Sequence, residues 1–246
     1  MVLARMTWPD VDAADRDAAV LIPMGSLEQH GLHLPLFTDS ILVTAVAEAV
    51  ERRLPDRVLL TPTLWMGASS HHLEFPGTLD NPFDAMIGQL TGAVESLARH
   101  GFHRFYVLNG HGGNADPIGI AMRTLKARHP NLSLGYSGYY QFCAEQVADL
   151  LEGPYKIIRH ACEAETSLML HLKPEWVRFE RAVDDGLAPN PPLRGGLFFF
   201  HEQTVDGVLG HATLATAEKG RRIFEAAVEG VTAELAAFAQ GVALEG

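Results

Sequence analysis

Cysteine is nearly absent. Cys143 and Cys162 are the only two in 246 residues. That count excludes a fold stapled by disulfides, and with no secretory signal in view the two thiols are expected to stay reduced. Clustered positive charge is missing too. Nineteen lysines and arginines stand against thirty acidic side chains, and the formal net charge is −11. No basic stretch interrupts this balance, so nucleic acid is not an expected partner. Residues 1–17 contain no long apolar run, which leaves neither a signal peptide nor a membrane span and makes a cytoplasmic address the default expectation. Internal repeats, low-complexity tracts and linkers are lacking as well. The length and the 47% apolar content fit one domain over residues 1–246.

What is present alternates. Apolar runs at Val20–Pro23, Val58–Thr61, Arg104–Leu108 and Leu132–Tyr136 read as strands. Helical patterns follow them: Ile41 to about Arg53, opened by Asp39 or Ser40; Phe83 to about His100, stopped by Gly101; and Asp116 to about His129. Further helices are expected over Glu163–Leu172 and from Ala217 to about Gln240, with a Pro- and Gly-rich loop over 188–196. This rhythm predicts an α/β protein with a mostly parallel central sheet and helices on both faces.

Two of the strands run directly into loops rich in ligand chemistry. After the first come Glu28, His30, His33 and Asp39; after the third comes Asn109-Gly110-His111-Gly112-Gly113-Asn114. The carboxyl ends of strands in an open α/β sheet are where small molecules bind. Glu28 and His30 are two apart, so in extended backbone they point to one side. Two carboxylates and two histidines suit a borderline divalent metal such as zinc, manganese or iron, singly or as a bridged pair. Asp39 has a second reading as a helix cap, and His33 a second reading as a hydrogen-bonding support. The glycine loop lacks both the dinucleotide fingerprint and the P-loop lysine, so a phosphate-binding turn is the weaker reading.

Four blocks resemble the creatininase (creatinine amidohydrolase) family: Gly25 to Gly31 with Asp39, His72 to Thr78, Asn109 to Asn114, and His160 to Ser167. Gly210 with Ala215 to Gly220 resembles a fifth. The resemblance implies a three-layer α/β/α fold, two divalent ions per subunit, hydrolysis of a C–N bond and a homo-hexamer. It implies that Glu28 and His111 hold one ion and His30 the other, with Asp39 between them. Where creatininase has a glutamate ligand in the glycine loop this chain has Gly113, and Glu165, or less well Glu163, is the replacement. His160 is the implied proton shuttle, grouped with Glu165 as catalytic. His72, Tyr140 and Arg159 are candidate substrate contacts, Arg159 toward a carboxylate. Tyr140 and Lys156 stand where creatininase has tryptophans over its ring substrate, which argues against creatinine itself. The expected activity is hydrolysis of a non-peptide or cyclic amide. The alternatives are a deformylase or a peptidase acting on a modified peptide, a lyase or isomerase on a sugar-like substrate, and a binding protein on a decayed site. Phe198-Phe199-Phe200 is expected in the core or at a subunit interface.

Overall fold

The computed structural model describes residues 1–187 and 197–241, so the loop expected at 188–196 lies outside the described residues. Four parallel strands form the central sheet: β1 (Ala19–Met24), β2 (Val58–Leu60), β3 (Arg104–Asn109) and β4 (Ser133–Gly138), in the order β2-β1-β3-β4. Every residue of β1 is buried. A strand covered on both faces needs an unbroken apolar run, and Ala19-Val20-Leu21-Ile22-Pro23-Met24 supplies it.

Alternation along the strands splits the core in two. Leu21, Tyr106 and Leu108 point to one face, where they meet α2 (Thr38–Arg53), α5 (Ala144–Leu150), α6 (Glu163–Leu172) and α7 (Ala217–Gln240). Val20, Ile22, Phe105 and Val107 point to the other, against α3 (Phe83–Ala98) and α4 (Ala115–Arg128). The three-layer arrangement expected from the sequence is therefore present. A short α1 (Trp8–Ala13) precedes the sheet, opened by a capping box between Thr7 and Asp10. A two-stranded antiparallel ribbon, β5 (Asp184–Asp185) with β6 (Gly210–His211), lies apart from it.

The strand order places the ligand loops. The chain leaves β1 through α2 to β2 on one side, whereas β3 pairs with β1 on the other. The loops after β1 and β3 thus diverge around a crevice at the carboxyl edge, the switch point where open α/β sheets bind ligands. Among the described residues no helix is long and apolar enough to cross a membrane.

Candidate metal centre

Asp39 sits in the first turn of α2, one residue past its start, and its side chain does not cap the helix. The helix begins at Thr38, so Asp39 is not its cap, as one reading of the sequence expected, but projects from within its first turn into the crevice. Its carboxylate instead accepts from Ser26 Oγ (2.6 Å) and lies between two imidazoles, with Oδ1 3.1 Å from His30 Nε2 and Oδ2 3.0 Å from His111 Nδ1. Glu28 completes the chain of contacts. Its Oε2 accepts from Ser69 Oγ (2.6 Å) and is 3.2 Å from His111 Nε2. Glu165, on the first turn of α6, brings Oε2 to 4.0 Å from His30 Nε2. The same Oε2 accepts from the backbone N–H of Ala161 (2.6 Å), a residue held in the left-handed region at φ +48°.

These groups are all buried, and the charges they carry need one another. Burial works against a charged His30, but Asp39, helped by Glu165 and Glu28, outweighs it and raises its pKa to about 9. His111 is likewise driven well above the ordinary imidazole value against its burial, by Glu28 and Asp39. Asp39 is held well below the carboxylate range, since His30 and His111 overcome its own burial. Glu165 is raised to about 8, by burial first and by Asp39 after it. Protons on His30 and His111 thus hold the positive charge that a metal ion would bring.

A cation fits this donor set. Glu28 Oε1 is buried and has no hydrogen-bond partner, although His72 Nε2 stands 3.2 Å and His160 Nδ1 3.6 Å away. Potential ligand atoms of Glu28, His30 and Asp39 lie within 4.8 Å of one another, as do those of His30, His160 and Glu165. Of the two candidate replacements, Glu165 is the one that faces the cavity and His30. Glu163, the weaker candidate, faces away from the cavity and binds Lys219 Nζ (2.7 Å) and the backbone N–H of Glu152 (2.9 Å) and Gly153 (3.1 Å). At Gly113 a side chain has no room: a Cβ would collide with the Ala68 carbonyl oxygen and come within 2.5 Å of His111 Nε2.

Gln29 organises two further histidines. Its backbone carbonyl accepts from His160 Nε2 (2.7 Å), which puts the proton of that ring on Nε2 and leaves Nδ1 with a lone pair facing Glu28. Its carboxamide nitrogen lies 2.9 Å from His72 Nδ1, 3.1 Å from the Gly207 carbonyl oxygen and 3.0 Å from His160 Nε2; with the last already a donor, its two protons go to His72 and Gly207, which puts the proton of His72 on Nε2. Gly207 has φ +75°, and a Cβ there would strike the Gln29 carboxamide. Burial, then the neighbouring imidazoles, hold both rings below the ordinary value, so they are neutral. His72 stacks on Phe200 at 3.8 Å between ring centres. Phe200 is buried, as expected of a core residue, and also lines the site, while Phe199 is half exposed. His33 takes its supporting reading, with Nε2 2.8 Å from Thr166 Oγ1. A cavity of about 370 Å³ opens over the cluster and reaches His71, Tyr140 and Arg159; Lys156 is outside its wall and donates to the Leu151 carbonyl. Gln29 and Ser26 escaped sequence reasoning as site residues. Gln29 alone carried a signal, its place between Glu28 and His30.

The family model of creatinine amidohydrolase matches residues 4–235. This chain belongs to the creatininase family. The family hydrolyses amide bonds. The chain is 35% identical to a mycofactocin precursor peptide peptidase of Mycobacterium ulcerans (strain Agy99), over 96% of this chain and 88% of that protein. It is 31% identical to a creatinine amidohydrolase of Pseudomonas putida, over 93% and 94%. Among solved structures, a mutant creatininase of Zn-Zn type superposes with a TM-score of 0.82 at 30% identity, covering 95% of this chain and 96% of that one.

Proposed function

We propose that this member of the family is a metal-dependent amidohydrolase acting on a cyclic or otherwise non-peptide amide. The observation that carries the reading is Asp39, buried with one carboxylate oxygen on His30 and the other on His111, each imidazole backed by a further carboxylate. Glu28, His111 and Asp39 would hold one divalent ion, and His30, Asp39 and Glu165 a second, of zinc, manganese or iron type. Bound ions would supply a water acidified toward neutral pH and positive charge beside the scissile carbonyl. The Zn-Zn form of the solved neighbour supports a pair.

The protein's own groups divide the remaining work. His160 is neutral with its Nδ1 lone pair toward the cavity, so it takes a proton from the attacking water and returns it to the leaving nitrogen. His72 is neutral with its proton on Nε2, so it donates to the carbonyl oxygen as that oxygen gains charge. Tyr140 and Phe200 give the cavity aromatic walls that limit water. Creatinine fits poorly as the substrate, because Lys156 contributes no aromatic face. A second reading, a peptidase acting on a modified peptide, is favoured by the likeness to the mycofactocin precursor peptide peptidases.

The expected working form is a homo-oligomer with a small-molecule substrate. Trp65, Leu73, Leu79 and Phe83 support this, because all four are more than a third exposed on one stretch of chain. Sedimentation should return a multiple of the 26.8 kDa subunit, a hexamer in the family pattern; a monomer at micromolar concentration contradicts it.

The activity is tested with zinc-loaded protein and a panel of lactams and N-acyl compounds in 18O-labelled water. One labelled oxygen should enter each carboxylate product. His160→Ala should keep its metal and lose turnover by about 100-fold or more. Product without label rejects hydrolysis, and near-normal turnover removes His160 from the reaction.

A further inference from the structure

Among the described residues Arg159 has no ion-pair partner, unlike the carboxylates that line the cavity with it. It precedes His160 in sequence and lines the same cavity. Its backbone N–H donates to Cys162 Sγ (3.3 Å), which ties it to the turn that carries His160. Its guanidinium carbon stands 4.3 Å from the centre of the Tyr155 ring. Tyr155 is anchored in turn, its hydroxyl donating to the Leu187 carbonyl (2.6 Å). A ring against one face fixes the plane of a guanidinium and leaves its edge N–H groups for an acceptor in that plane. Arg159 Nη1 is nevertheless buried with no hydrogen-bond partner among the described residues. None of the site's carboxylates pairs with it: Glu28 Oε2 is on Ser69 and His111, Glu165 on Ala161, and Glu163 on Lys219. Leaving a charged donor buried and unpaired costs more than leaving a neutral one, so such a group in a cavity wall is matched by what enters the cavity.

We propose that Arg159 binds a carboxylate of the substrate. The substrate class is then an amide with a free carboxylate close to the scissile C–N bond, as in an N-acyl amino acid or the last residue of a peptide. This deepens the hydrolase reading and rests on it for where the bond is cut, but not for the binding itself. In this role Arg159 selects and orients the substrate; it moves no proton.

The test compares N-acetyl amino acids with their carboxamides by calorimetric titration of the zinc-loaded protein. The acids should bind about tenfold more tightly than the carboxamides. Arg159→Gln should bring the pairs to within about twofold, and Arg159→Lys, which keeps the charge without the fork, should recover only part of the difference. Both variants should keep wild-type zinc content, which shows that they fold. No difference between acid and carboxamide in the wild type overturns the proposal. So does a preference that survives Arg159→Gln, because the metal ions would then be the carboxylate's partner. Turnover separates the two readings. Acid-selective binding without hydrolysis leaves Arg159 in place and removes the hydrolase; equal hydrolysis of acid and carboxamide does the reverse.

Discussion

At the scale of single residues, the site is a set of carboxylates each read by an imidazole, with Gln29 fixing which nitrogens of His72 and His160 carry protons. The electrostatics set a pH dependence for the metal-free protein. His30 and His111 have folded pKa values above the 6.5 of an ordinary imidazole, about 9 for His30. A group raised on folding stabilises fully below its unfolded value, and that stability is lost as pH climbs through the folded one. Glu165, raised to about 8, works in the same direction. His72 and His160 are depressed, so their contribution is complete above 6.5 and adds no slope there. The melting temperature of metal-free protein should therefore fall steadily from pH 6.5 to 9, and saturating zinc, which displaces the protons, should remove most of the slope. A flat or rising profile without metal contradicts the charge arrangement. Glu28, His30, Asp39 and His111 were legible in the sequence because ligand types seldom gather by chance at two strand ends. Ser26, which donates to Asp39, was not, since a lone serine carries no periodic or metal-ligand mark. Glu163 and Glu165 were separable only by helix geometry: two apart on α6, they face opposite ways.

At the scale of elements, the strands were legible from their apolar runs, and the bounds of α6 and α7 match the helical patterns read there. The start of α2 was misjudged by three residues, because the residue at its cap position is Phe37, which is not a capping type, whereas Asp39 is. Helices α1 and α5 went unread; at 6 and 7 residues they are too short for an amphipathic period to show. The contact between α6 and α7 is the element pairing on which the site leans. Gly220 has no room for a Cβ, which would strike the Ser167 carbonyl, so the two helices meet backbone to backbone. Beside that contact Lys219 Nζ binds Glu163 (2.7 Å) and the Leu214 carbonyl (2.7 Å). Glu163 in turn holds the backbone at Glu152 and Gly153, the beginning of the segment that leads to Arg159 and His160. Lys219→Met should strand the buried Glu163 and cost roughly 3 kcal/mol of unfolding free energy. Adding Glu163→Gln should restore part of it, as chemical denaturation would show. A loss below about 0.5 kcal/mol would mean that the pair is a surface contact of little weight.

At the scale of the whole molecule, the fold does one thing for function: it brings loops some eighty residues apart to one crevice. β1 and β3 are neighbours in the sheet with their crossovers leaving to opposite sides, so Glu28, His30 and Asp39 meet His111 at the switch point, and α6 closes the crevice with Glu165. The topology was foreseeable from the alternation of strands and helices. The cavity wall was foreseeable in part: Tyr140 and Arg159 were expected as substrate contacts and line it, whereas Phe200 comes from a segment without regular pattern and its place in the wall is a property of the folded chain alone. In the proposed function Asp39 joins the two halves of a divalent-metal centre. Elemental analysis of purified, zinc-reconstituted protein tests it most directly. The wild type should hold two ions per subunit, and Asp39→Ala, with its fold verified by circular dichroism, should hold fewer than one. A folded wild type that binds no zinc, or an Asp39→Ala protein that keeps the full complement, would contradict the account.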